Sequence, residues 1–277
     1  METYTEGEWK TELGYKLAIG VAVITILISL LDIFHAPIFI RETASTKAQV
    51  IGQDIVNLVI GVPATFYSLN LSKKGSLKAR TVLIGIMAFF AYTFLSYSIL
   101  FKLNDGFLLY TAGFGFSLYA TLLNIAALNV NELRIDADPY VRRWTQVVMG
   151  FIILVVIVLW TPDIVYYYTT GLHPERIIAD NVHTLAIHFQ DLSIVVPLAL
   201  MTAWLIRRDD KMGYVLAPIL LVKALSIGLA VLGMITAMSF WGVPAVLGEI
   251  MVFFIATLVL GWYTIRFYKG TKMEYVH

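Results

Sequence analysis

The chain has 277 residues, of which 59% are hydrophobic and 14% are charged, and its mean hydropathy is +0.78. These values lie outside the range of soluble globular proteins and indicate a protein that crosses a membrane several times. The formal net charge of +1 argues against a nucleic acid partner. Because the chain has no cysteine, disulfides, thiolate metal sites, iron–sulfur clusters and cysteine nucleophiles are excluded.

Eight apolar segments are each long enough to cross a bilayer, which takes about 20 residues in a helix. They predict an all-α polytopic membrane bundle in one integral membrane domain, residues 1–277. The predicted helices, in chain order, are Tyr15–Phe34, Gln49–Leu71, Arg80–Phe101, Phe107–Leu128, Trp144–Trp160, Ala186–Ile206, Gly213–Ala237 and Pro244–Phe267.

The distribution of Lys and Arg predicts how these helices are oriented. If the N-terminus is cytoplasmic, fifteen basic residues fall on the cytoplasmic side, and four fall outside: Arg41, Lys47, Lys102 and Arg176. Cytoplasmic loops of membrane proteins carry the excess of Lys and Arg. We therefore expect a multi-pass protein of the cell membrane with both termini in the cytoplasm.

A weak internal repeat links the second and sixth predicted helices. Each contains a Gln-Asp pair, Gln53-Asp54 or Gln190-Asp191, followed by a proline and, ten residues after that proline, by two basic residues. The spacing from glutamine to proline differs, ten residues against seven. Two four-helix halves, residues 1–138 and 139–277, would be related by an axis along the membrane normal. Chance recurrence in an apolar background is the alternative.

Five ionisable residues interrupt the apolar helices: Asp32, Asp54, Asp191, Lys223 and Glu249. A charge at the bilayer centre costs roughly 3 kcal/mol on insertion scales, so such residues usually face a cavity, a partner or a substrate. The predicted topology places the acids in a layer on the order of 8 Å below the outer surface and Lys223 near the midplane. Lys223 either pairs with one of these carboxylates or is neutral. A proton that moves between such a lysine and a carboxylate could serve a coupled transporter. The alternative is a static ion pair that only holds the seventh helix to its neighbours.

Candidates for binding a substrate or a proton are these buried charges and the glutamines beside two of them: Asp54, Asp191, Lys223, Glu249, Gln53 and Gln190. Other polar groups within the helices either line a cavity or form interhelical hydrogen bonds: Asn57, Tyr92, Tyr97 and Asn124. Trp160 lies at a predicted helix end, where tryptophan commonly anchors a helix at the interface. Prolines within the helices kink them or free carbonyl groups for a cavity: Pro63, Pro197 and Pro218.

A second pattern consists of two His and Asp pairs three residues apart, Asp32 with His35 and His188 with Asp191. Such residues share a helix face, so these four could hold a divalent metal that activates water. The spacing matches no zinc motif, and solvated interfacial histidines are the alternative. Haem would need axial histidines on facing helices, and the second to fifth, seventh and eighth predicted helices contain no histidine. A retinal Schiff base at Lys223 would lack the expected surroundings. We therefore expect no cofactor, with a divalent metal as the alternative.

Three motifs lie in and around the second, third, sixth and seventh helices. They are Gly52-Gln53-Asp54, the loop Lys73-Lys74-Gly75-Ser76-Leu77, and Gly213-Tyr214-Val215-Leu216-Ala217-Pro218 followed by Leu221-Val222-Lys223. At these positions the chain resembles a group of uncharacterised prokaryotic multi-span membrane proteins. The resemblance covers most of those four helices and implies no particular activity.

Three functional classes fit these patterns. A small-solute or ion-coupled transporter, with the proton as a candidate ion, accounts for the repeat, the helix-breaking prolines and the charges. A metal-dependent membrane enzyme accounts better for the His and Asp pairs, and a sensor or assembly subunit needs only structural charge pairs. We favour the transporter over an enzyme, with a small molecule or ion as its substrate and the oligomeric state left open.

Overall fold

The computed structural model describes residues 6–275, and eight long helices make up most of this part of the chain. The helices are α1 Glu6–Phe34, α2 Ala44–Lys73, α3 Leu77–Leu100, α4 Phe107–Ala126, α5 Pro139–Thr170, α6 Ala186–Arg207, α7 Lys211–Phe240 and α8 Leu247–Gly270. A short helix, Glu175–Asp180, lies between α5 and α6. All eight long helices have the length and composition to span a membrane, which confirms the predicted all-α polytopic bundle.

The fifth helix extends well beyond its predicted end at Trp160. Asp138 caps its N-terminus, and the helix continues through Pro162 to Thr170, where Gly171 has a φ of +70° and ends it. A proline inside a membrane helix is tolerated because neighbouring groups satisfy the freed carbonyl. The extension places Asp163 one turn after Trp160, on the same helix.

The eight helices pack as two rings of four. The helices α1, α2, α3 and α4 pack around one interior, and α5, α6, α7 and α8 pack around another in the same order. The seventh helix also packs along α2 and across α3, which joins the two rings. As a result α3 and α7 are the most deeply buried of the eight helices.

A segment of π-helix interrupts both α2 and α6. The segments are Asn57–Gly61 and Asp191–Val195, and Pro63 and Pro197 follow them. Proline lacks an N–H group and clashes with the carbonyl four residues earlier, so a wider turn just before it relieves the clash. The two helices therefore correspond at Asn57 and Asp191, an offset of 134 residues (57 to 191). The two Gln-Asp pairs are not in equivalent positions.

The same offset recurs where α2 and α6 end. Gly75 and Asp209 both have positive φ angles, +88° and +59°. The next residues, Ser76 and Asp210, both cap the following helix by accepting a hydrogen bond from a backbone N–H group. The turns that reverse the chain are thus built in the same way in both rings.

Two short strands that the sequence did not predict join the ends of the rings. Strand β1, Leu133–Ala137, follows α4, and strand β2, Thr271–Tyr275, follows α8. They pair antiparallel with Ile135 opposite Met273, and two pairs of opposite charge face each other across the strands: Arg134 with Glu274 and Asp136 with Lys272. Such self-complementary pairing of equivalent segments is what a two-fold axis would produce. The division into halves at residue 138 stays a prediction.

We expect Gly52→Val to destabilise the bundle. A β-carbon on Gly52 would overlap the carbonyl oxygen of Gly233, where α2 crosses α7, and small residues permit such close crossings. The variant should lose about 1–3 kcal/mol of stability, seen as a lower midpoint of thermal unfolding in detergent. The control is Gly150→Val, since nothing lies within 4 Å of a β-carbon built there. Equal losses in both variants would contradict this role of the crossing.

Candidate functional site

A small cavity lies inside the second ring, between α5, α6, α7 and α8. Its volume is about 80 Å³, which is room for a few water molecules. Most of its wall is apolar, and the polar residues that line it are Trp160, Asp191, Lys223 and Thr257. An acid and a base that the sequence singled out therefore line the same cavity.

The ammonium group of Lys223 lies over the aromatic ring of Tyr92 from α3, 4.0 Å from the ring centroid. A cation–π contact of this kind contributes about 2 kcal/mol when both groups are out of water. Within residues 6–275, Lys223 forms no ion pair and donates no hydrogen bond, and Asp191 acts on it only through space. Of the two states that the sequence left open for Lys223, direct pairing with a carboxylate is not seen among the described residues, and the ammonium retains unused hydrogen-bonding capacity.

Asp191 belongs to a chain of polar and aromatic side chains. Its Oδ2 accepts a hydrogen bond from the indole Nε1 of Trp160 at 2.8 Å, and its carboxylate also contacts the hydroxyl of Tyr92. The Trp160 ring packs against the ring of His188, with 4.2 Å between centroids and 36° between planes. His188 Nε2 lies 2.9 Å from Oδ2 of Asp163. These contacting side chains extend from the cavity towards the C-terminal end of α5 and the N-terminal end of α6.

A second polar cluster occupies the interior of the first ring, with one side chain from each helix: Asp32, Asp54, Tyr97 and Tyr110. The carboxyl groups of Asp32 and Asp54 are buried and lie in hydrogen-bonding contact. Tyr110 donates to Asp32 Oδ1 at 3.1 Å, and Ser29 donates to Asp54 Oδ1 at 3.1 Å. The predicted acidic layer is therefore divided between the two rings.

The two glutamines that the sequence singled out each donate a hydrogen bond to a hydroxyl group of α3. Gln53 donates to Thr93 Oγ1 at 2.9 Å, and Gln190 donates to Ser96 Oγ at 2.8 Å. Both acceptors belong to α3, so the glutamines attach α2 and α6 to this helix. Glu249 lies in the first turn of α8 and is half-buried.

The predicted metal ligands lie in different places. Asp32 contacts Tyr110 and Asp54 in the first ring, whereas His188 contacts Asp163 in the second. His35 lies 3.9 Å from Asp105. In the described part of the chain, no three His, Asp or Glu side chains group in a way that could hold a metal ion. The four proposed metal ligands therefore do not lie around one point, and the metal hypothesis stays a prediction.

Sequence analysis missed Tyr110 and Asp163 and interpreted Trp160 as an interfacial anchor. The spacing of Trp160 and Asp163, three residues, places both on one helix face once Pro162 is allowed inside the helix. That spacing could have indicated that Trp160 and Asp163 belong to the polar cluster of the second ring. Tyr110 had no such signal, because it is one of several aromatic residues in an apolar helix.

No protein-family model matches the chain, and comparisons with curated proteins and with solved structures find no match either. The two clusters of polar residues therefore supply the basis for a functional assignment. Each lies inside one ring of four helices and includes an acid that the sequence singled out.

We expect the stability effects of Tyr92→Leu and Lys223→Met to be coupled. Without the ring, the ammonium of Lys223 loses its partner, so Tyr92→Leu should be less costly when Lys223 is already methionine. The coupling free energy from the double-mutant cycle should be about 0.5–2 kcal/mol, measured by unfolding in detergent. Additive losses would show that the contact contributes nothing. Tyr92→Phe, which keeps the ring, should retain most of the coupling.

Proposed function

We propose that the protein is a secondary transporter of the cell membrane that carries a small organic anion together with protons. The observation that supports this most directly is the ammonium group of Lys223, which faces a small, largely apolar cavity with its hydrogen-bonding capacity unused. An unpaired charge within a membrane helix is costly and usually marks a substrate or ion site.

The cavity's chemistry suggests a class of substrate. A carboxylate entering the cavity would supply the acceptor that Lys223 lacks, and a short hydrocarbon body would suit walls formed by Phe151, Ile152 and Val156. Asp191 already accepts a hydrogen bond from Trp160. Since the volume is about 80 Å³, a short-chain monocarboxylate is the class that we propose.

The interrupted helices support the same function. Asp191 is the first residue of the π-helical segment of α6, and the corresponding segment of α2 begins at Asn57, one turn after Asp54. Single π-helical turns inside α-helices often occur at functional sites. One ring moving against the other would expose such a site alternately.

The test of this function is uptake by liposomes that contain the purified protein and a pH-sensitive dye. Radiolabelled acetate and butyrate should enter faster than into protein-free liposomes, which report passive permeation, and the dye should report proton entry. Lys223→Met should lower protein-dependent uptake by about tenfold or more, equivalent to about 1.4 kcal/mol of lost binding. The matched control is Lys74→Met in the exposed turn between α2 and α3, which should not change the rate.

Two results would contradict the proposal. Uptake equal to that of protein-free liposomes, for carboxylates, amines and neutral solutes alike, would exclude transport and favour a structural role for the charges. Equal rates for Lys223→Met and the wild type would remove Lys223 from the site.

Orientation in the membrane is part of the same proposal, with both termini in the cytoplasm. Because the chain has no cysteine, single cysteines report which side they occupy without background. A membrane-impermeant maleimide should label Asp105→Cys in intact cells and Lys74→Cys only after permeabilisation. The reverse pattern would show the opposite orientation.

A further inference from the structure

We propose that Asp32 and Asp54 form a reversible proton-binding site inside the first ring of helices, separate from the cavity that Lys223 lines. Both side chains are buried, with 2% and 0% of their surfaces exposed, and their carboxyl groups are in hydrogen-bonding contact. The inference deepens the proposed function by locating a driving proton and, to that extent, rests on it. The protonation itself is testable without transport.

The contact between the two carboxyl groups requires a proton. Two ionised carboxylates at this separation, both removed from water, would repel each other strongly, and paired carboxyl groups in proteins share a proton for this reason. Among the described residues, no Lys, Arg or His forms an ion pair with either acid. Oδ2 of Asp54 is buried and receives no hydrogen bond from a described N–H or O–H group. A proton carried between the acids supplies such a donor.

The surrounding groups suit a site whose charge changes. Asn57 donates from Nδ2 to Asp54 Oδ1 at 3.2 Å, while its own Oδ1 is buried without a hydrogen-bond donor. Rotation of this amide would turn Oδ1 towards a protonated Asp54. The hydroxyls of Ser29, Tyr97 and Tyr110 can likewise donate to a carboxylate or accept from a carboxylic acid. The same cage therefore satisfies more than one protonation state.

This cage favours a proton over a metal cation. A bound cation needs a shell of oxygen lone pairs, as hard cations in proteins take oxygen ligands. Here an amide N–H and hydroxyl groups are directed at the carboxyl oxygens instead. The titratable groups that face the pair from the helices packed around it are Tyr97 of α3 and Tyr110 of α4.

The position of the pair places it near one end of the bundle and near the contact with the other ring. Asp32 lies two residues before Phe34, where α1 ends, so the path to water is short. Asp54 lies two residues after Gly52, whose backbone meets Gly233 of α7. A change in α2 on protonation would therefore reach the helix that carries Lys223.

Infrared difference spectroscopy of the purified full-length protein, between mildly acidic and mildly alkaline buffer, tests the site. The carbonyl stretch of a protonated carboxyl group is resolved from that of a carboxylate. In the wild type, a protonated carboxyl band should change in amplitude with pH. Asp32→Asn and Asp54→Asn should lose this change. The matched control, Asp191→Asn, replaces an acid of the other ring and should retain it.

Tyr110→Phe keeps both acids and covers the case in which the asparagine variants do not fold. It should shift the frequency of the band, because it removes the hydrogen bond to Asp32; an unshifted band would overturn the proposal. So would a band that does not respond to pH, a pH response lost only in Asp191→Asn, or a response to sodium at constant pH.

The outcomes separate this proposal from the proposed transport function. A pH-dependent band at the pair without carboxylate uptake would leave the proton site standing and remove the transporter. Carboxylate uptake together with a band that does not respond to pH would support the transport function and exclude the proton site.

Discussion

The interior of a bilayer contains no water, so every polar side chain placed there must be satisfied by another part of the protein. The arrangement of this bundle follows from that constraint. Asp32 and Asp54 meet each other and a set of hydroxyl groups, and Lys223 lies over the ring of Tyr92. The first cluster lies inside a ring of four helices, and the second lies between the other ring and α3. The contacts within each cluster are therefore what make its charges tolerable.

The third helix forms a wall that the two clusters share. Thr93 and Tyr97 face the first ring, where they meet Gln53 and Asp54, whereas Tyr92 and Ser96 face the second. Residues four apart lie on the same face of a helix, so two adjacent faces of α3 each carry one such pair. A proton bound in one ring and an anion bound in the other would thus act on two adjacent faces of one helix, and the two rings also meet at the crossing of α2 and α7.

The sequence predicted the features that depend on sums over many residues or on the cost of a buried charge. Hydropathy averaged over a span located all eight helices, and the rarity of membrane charges singled out Asp54, Asp191 and Lys223. It failed where one residue decides the outcome. The fifth helix was predicted to end at Trp160, which left Asp163 outside it, whereas the helix continues through Pro162 to Thr170. The Gln-Asp pairs were aligned with each other, although the π-helical segments shift the correspondence to Asn57 and Asp191.

Composition and hydropathy alone thus determined that this protein is a bundle of eight apolar helices with a few ionisable groups inside it, because the free energy of inserting each residue is largely local. The tertiary structure decided which groups meet. Asp32 contacts Asp54 across 22 residues of chain (32 to 54), and Lys223 contacts Tyr92 rather than an acid. Such pairings depend on helix rotation and crossing, which small residues such as Gly52 and Gly233 set through contacts distant in sequence. No local pattern records these contacts.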